Sequence, residues 1–193
     1  MTLDPKKTAL LTLDFQKGII GSVSGSEAAL PQAAKAVAFA RKQGYLLIHV
    51  GLGFEPGHPE IPHSDGDSGF ARVKKNKMFL KGSESAEFHP DLYRQGDLVV
   101  HKQRYGAFSH NGLQMILNAN HIEDLVFFGI STSGITLSTL RLAFDLDYRC
   151  TVLKDACFDR DEEVHRVLTG KVFPAQARVL TVDEFIAEQG GMA

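Results

Sequence analysis

A chain of 193 residues, 44% hydrophobic and 23% charged, has the composition of a globular protein and the length for one sizeable core. A net charge of −2, with lysine and arginine scattered, excludes the basic footprint of a nucleic-acid binder, and no apolar run is long enough to span a bilayer. Two cysteines, Cys150 and Cys157, speak against a disulfide scaffold, and the short polar N-terminus does not read as a signal peptide. The expectation is one domain over residues 1–193, cytoplasmic, with neither a nucleic-acid nor a membrane partner.

Residues 8–13 form a nearly continuous apolar run, the pattern of a strand buried on both faces. Apolar residues recur at helical spacing over residues 30–43, with Pro31 suited to a first turn and Gly44 to a C-terminal stop. Residues 45–50 read as the next strand. Residues 51–96 are rich in proline and glycine and carry no long periodic segment, so they read as a long functional or covering loop with one short turn at 90–93. Strands then fall at 97–102, 124–128, 149–153 and 178–182, and helices at 111–120, 134–147, 161–168 and 182–188. This alternation predicts a doubly wound α/β/α sandwich around a mainly parallel sheet of about six strands.

In such sheets ligands bind beyond the carboxyl ends of the strands. Asp14 and Lys102 both end a strand, and the turn Gly129 to Gly134 follows another. Alone, Asp14 reads as a cap and Lys102 as a solvated charge. Together, a buried carboxylate and an ammonium form a proton-transfer couple whose pKa values depend on each other. The turn Ile130, Ser131, Thr132, Ser133, Gly134 leads into a helix start, where backbone N–H groups can stabilise an anion or simply be capped by a hydroxyl.

Four segments carry a resemblance that spans almost the whole chain: Leu13-Asp14-Phe15-Gln16, Lys102-Gln-Arg104-Tyr105-Gly-Ala107-Phe108, Gly129-Ile130-Ser-Thr132-Ser-Gly-Ile135-Thr-Leu-Ser-Thr139, and Asp155-Ala156. In this order and spacing the sequence resembles the isochorismatase-like hydrolases. The resemblance implies that Asp14 is the acid–base group, that Lys102 assists it, and that Ile135 occupies the place where most relatives carry a nucleophilic cysteine. Isoleucine has no nucleophilic atom, so a thioester route has no start there. Cys150, inside a strand, and Cys157, after Asp155-Ala156, read as small core residues.

Gln16, Phe54, Tyr105 and Phe108 are the pocket candidates, with Phe70, Phe79 and Phe88 as further aromatic walls. No cofactor is implied. Glu55, His58 and His63 leave an improvised metal site open, at a spacing foreign to the family, although histidines in such a loop more often face solvent. The partner is a small-molecule substrate or ligand, and the resemblance implies a homodimer or homotetramer, and a cis peptide near Ile130–Ser131. Two functions stay open on sequence alone. One is a hydrolase in which Asp14 and Lys102 work with water. The other is a non-catalytic small-molecule-binding or interaction protein on the same fold.

Overall fold

The computed structural model describes residues 2–62 and 68–190. Six strands, β1 (Thr8–Leu13), β2 (Leu46–Leu52), β3 (Leu98–Lys102), β4 (Asp124–Gly129), β5 (Arg149–Leu153) and β6 (Ala177–Leu180), form one sheet in the order β3-β2-β1-β4-β5-β6. Every pairing is parallel. β1 and β4 are buried at every position, as expected of strands covered on both faces. The order reverses between β1 and β4, so their carboxyl ends open a crevice at the switch point, where open α/β sheets bind ligands.

Among the described residues, seven α-helices connect and cover the strands: α1 (Lys17–Ser22), α2 (Leu30–Gln43), α3 (Gly69–Lys75), α4 (Leu113–Ala119), α5 (Leu137–Asp145), α6 (Glu162–Val167) and α7 (Val182–Glu188). α2 buries Ala33, Ala36, Val37, Phe39 and Ala40, and Phe39 meets Phe185 of α7 edge-on at 5.8 Å. It stops at Gly44, whose φ of 75° is the left-handed conformation that glycine adopts without a Cβ clash.

The structure departs from the sequence expectation in three places. β2 runs on to Leu52, and the proline- and glycine-rich stretch after it contains α3, capped by Ser68, whose hydroxyl accepts from Ala71 N at 3.1 Å. The helix expected over 134–147 opens with a wider π-type turn, Thr132–Thr136, before α5 begins. β6 sits earlier than expected, because Val182 already belongs to α7, whose capping box at Thr181 and Glu184 starts the helix there.

Candidate active site

Three strand ends converge. Asp14 follows β1 with a φ of 60°, a left-handed conformation that an aspartate tolerates better than most residues. Its backbone N–H donates to Val50 O at 2.8 Å, and its side chain is buried. Lys102 ends β3 and is 1% exposed, so its ammonium needs partners. It donates to Asp14 Oδ2 at 2.9 Å and to Arg104 O at 3.0 Å, which leaves one of its three protons free. Asp14 Oδ1 is buried and meets no hydrogen-bond partner among the described residues. Burial pushes the Asp14 carboxyl above its ordinary range, against the pull of the Lys102 ammonium. Burial likewise lowers Lys102, against the opposing pull of Asp14.

The third element is the turn after β4. Gly129 ends the strand where a Cβ would lie 2.7 Å from Leu13 Cβ and 2.9 Å from Leu13 O, so only glycine lets β4 close on β1 here. The Ile130–Ser131 peptide is cis, as the resemblance implied. Of the two readings of this turn, three of its amides follow the capped one. Thr132 N donates to Phe158 O at 2.8 Å, Ser133 N to Asp159 Oδ2 at 2.7 Å, and Gly134 N to Ser131 Oγ at 3.1 Å. Their acceptors are internal to the fold, so these three hold the turn's shape. The Ser131 amide meets no acceptor among the described residues.

A cavity of about 330 Å³ opens between these elements. Asp14, Lys102, Tyr105, Ile130, Ser131 and Ile135 line it, and so do Phe70 and Phe79. Phe79 has a φ of 58°, which is rare for a bulky residue and typical of positions held by a site rather than chosen by the chain.

A model of the isochorismatase domain matches residues 8–184. The chain belongs to the isochorismatase family. This isochorismatase-family hydrolase is similar to the isochorismatase family protein YwoC of Bacillus subtilis (strain 168), with 30% identity over 190 residues that cover 97% of each chain. It is also similar to the ureidoacrylate amidohydrolase RutB of Variovorax paradoxus (strain S110), with 29% identity over 96% of this chain and 82% of the relative. Its fold matches the structure of an isochorismatase family protein from Burkholderia thailandensis with a TM-score of 0.83, at 24% identity, covering 98% of each chain.

Several motif residues of this isochorismatase-family chain hold the frame instead of lining the cavity. Gln16 is fully buried. Its Nε2 donates to Leu52 O and Ala86 O, both at 2.8 Å, and its Oε1 accepts from Leu52 N at 2.8 Å, so both polar atoms are engaged within the frame. Phe54 sits behind the wall, 6.4 Å from the Phe70 ring. Phe108 stacks on Tyr148 at 6.1 Å, and Phe88 lies against His49 at 5.5 Å. Thr132 shares a 2.8 Å hydrogen bond with His165 Nδ1. Thr139 Oγ1 accepts from Ala107 N at 3.1 Å, and Asp155 Oδ1 from Val182 N at 2.8 Å. These two contacts explain Ala107, Thr139 and Asp155 as ties between elements.

The loop histidines also differ from expectation. His58 is 2% exposed and its Nε2 bonds to Met78 O at 2.7 Å, while Glu55 pairs with Lys81. His63 lies outside the described residues. No group of three His, Cys, Asp or Glu is placed to hold a metal ion among the described residues.

No cysteine lines the cavity among the described residues. Cys150 and Cys157 are both buried, and burial pushes each thiol up to about 12, so neither supplies a thiolate. Sequence reasoning missed Ile19, Val23, Arg72, Val73, Asn76 and Met78, which also line the cavity. Three of these lie on or just after α3. Ser68 as an N-cap, with Phe70 and Val73 three apart, was the signal for it.

Proposed function

We propose that this isochorismatase-family hydrolase cleaves a small molecule with water, using Asp14 and Lys102 and no cysteine nucleophile. The observation that carries this reading is Asp14 itself: one carboxylate oxygen is held by Lys102, and the other is buried and unpartnered among the described residues, in a residue that lines the cavity. A desolvated carboxylate with a free oxygen is a general base for a water molecule. The free proton of Lys102 and the Ser131 amide are the donors for negative charge developing on the substrate oxygen. Ile135, 1% exposed, fills the nucleophile position with an alkyl group.

Ser131 is no substitute nucleophile. Its Oγ caps the following turn and makes no hydrogen bond to Asp14, so it has no base within reach. The reading takes residues 1–193 as one domain and, with the resemblance, as a cytoplasmic homodimer or homotetramer.

The similarity to a ureidoacrylate amidohydrolase makes ureido and primary amide compounds the first substrates to screen, by ammonia release, with vinyl ethers alongside. Asp14→Asn is expected to lower turnover by about 10²- to 10⁴-fold, the usual contribution of a positioned base. Unchanged turnover in that variant overturns the reading, as does inhibition of the native protein by iodoacetamide. Ligand binding with no turnover across the screen replaces it with a binding protein on the same fold.

A further inference from the structure

We propose that His165, on α6 and outside the cavity, is a positioning residue: by holding Thr132 it aims the Ser131 amide at the charge developing on the substrate oxygen. The role of the Ser131 amide rests on the function proposed above; the coupling of His165 to that amide rests on the contacts of the turn alone.

The turn after β4 is tied down on both sides of Ser131. Before it, Ile130 forms an isolated parallel bridge with Phe158. After it, Thr132 N donates to Phe158 O at 2.8 Å and Ser133 N to Asp159 Oδ2 at 2.7 Å. Thr132 has a further tie between side chains: its Oγ1 lies 2.8 Å from His165 Nδ1. Thr132 is fully buried, so loss of the imidazole leaves a desolvated hydroxyl unpaired, which is more costly than losing an exposed contact. Peptide units are planar, so only the φ and ψ of Ser131 separate its amide from Thr132. A shift of Thr132 therefore passes to the one amide of this turn that points at no acceptor among the described residues.

His165 lines a different hollow, of about 280 Å³, together with Cys157, Phe158, Asp159, Arg160 and Glu162. It is not among the residues of the catalytic cavity, so its effect on the reaction passes through Thr132. The imidazole itself comes from a fixed element. His165 N donates to Asp161 O at 3.0 Å, its carbonyl accepts from Thr169 Oγ1 at 2.8 Å, and Asp161 caps α6 by accepting from Glu163 N and Val164 N. Burial lowers the His165 pKa below 6.5, against the pull of Asp159 and Glu162, so the ring is neutral at neutral pH. Either tautomer pairs with Thr132, because a hydroxyl both donates and accepts. The donors that stabilise a transition state must be placed to within a few tenths of an ångström, and a small misplacement transmitted from outside the site costs up to about a hundredfold in rate.

Four substitutions in the intact protein test this. His165→Phe keeps a ring without the hydrogen bond, and Thr132→Val keeps the branched shape without the hydroxyl. His165→Asn places an amide where Nδ1 lies, and His165→Gln places one where Nε2 lies. With a substrate from the screen above, and well below each variant's Tm, His165→Phe and Thr132→Val should each lower kcat about tenfold to a hundredfold and leave KM within about twofold. The double variant should be no slower than the slower single one, since both remove the same contact. His165→Asn should recover most of the lost rate and His165→Gln should not. The amide resonance of Ser131, followed by NMR, should move in His165→Phe and Thr132→Val and return towards its native position in His165→Asn. That reading needs no turnover, so it decides the inference even if the hydrolase reading fails, whereas Asp14→Asn tests the hydrolase reading alone. The inference is overturned if His165→Phe and Thr132→Val keep the native kcat, if they raise KM instead, if His165→Gln restores the rate as well as His165→Asn, or if the Ser131 resonance stays at its native position in both.

Discussion

Lys102 Nζ lies 2.9 Å from Asp14 Oδ2, although the two residues end strands that are not neighbours. β2 runs between them, so their backbones are separated by two strand spacings, or roughly 10 Å. Only a long side chain crosses that gap, which is why lysine, and not a shorter cation, suits the end of β3. A buried pair of this kind adds little stability by itself, but removing one partner strands a charge. Lys102→Met and Asp14→Asn should each cost about 3–5 kcal/mol in urea unfolding. The double variant should cost less than the sum, because neither charge is left alone. Strictly additive losses would show that the two side chains do not interact in the folded protein.

Proton sharing in this pair sets the pH dependence of turnover. Water activation needs Asp14 as carboxylate, and charge stabilisation needs Lys102 as ammonium. Burial raises Asp14 above 3.8, so kcat/KM should climb with pH through a limb higher than an ordinary carboxylate gives. Burial lowers Lys102 below 10.5, so the rate should fall again on a limb below that of an ordinary lysine. The two limbs belong to the coupled pair and not to either residue alone. A pH profile flat across the acid range would remove Asp14 from the role of base.

Ile135 bears directly on the absence of thiol chemistry. Its Cγ2 would sit 3.1 Å from a Cβ placed on Gly129, so the side chain is wedged against the end of β4 and faces the cavity. Ile135→Ala should cost about 2–4 kcal/mol in stability and enlarge the pocket. In I135C the introduced thiol lies in the same cavity as Asp14, and iodoacetamide should label that position alone, as read by peptide mass mapping. Native protein should resist labelling, since Cys150 and Cys157 are buried with their thiols pushed up to about 12. Labelling of Cys157 in the native protein would refute this account of the cavity.

The legible parts of the fold were those where one local rule decides. β1 declared itself by a nearly continuous apolar run, which the structure buries at all six positions, and α2 by Pro31 at its start and Gly44 at its end. α3 was not legible, because seven residues are too few to be held by helix propensity. Tertiary contacts hold it instead: Phe70 meets Tyr105 at 5.4 Å and carries Arg104 over its ring. With α3 went Arg72 and Asn76, the outer polar groups of the cavity. The motif reading found Asp14 and Lys102 because both charges end strands at the carboxyl edge of the sheet. It misplaced Gln16, Phe108 and Thr132 because a motif position carries no sign of whether its side chain serves a ligand or the backbone. All three turned out to bond or stack within the frame.

Asp97 offers a separate test, away from the cavity. It receives Arg41 Nη1 at 2.7 Å and Arg94 N at 2.7 Å, together with Arg41 Nη2, and His49 Nε2 lies 3.2 Å away. The Arg41 hydrogen bonds hold its carboxyl down at about 2, against 3.8 for an unperturbed aspartate. A depressed folded pKa contributes stability above pH 3.8 that is lost as the pH falls through about 2. His49 works in the same direction. Burial lowers it below 6.5, so the unfolded chain takes up a proton that the folded one refuses, and stability starts to fall below pH 6.5. Asp97→Asn should therefore cost about 1–2 kcal/mol at neutral pH and progressively less as the pH approaches about 2, where the two proteins should unfold at similar urea concentrations. A difference between native and variant that stays constant across the acid range would mean that the carboxylate charge of Asp97 does not hold Arg41 and His49 in place.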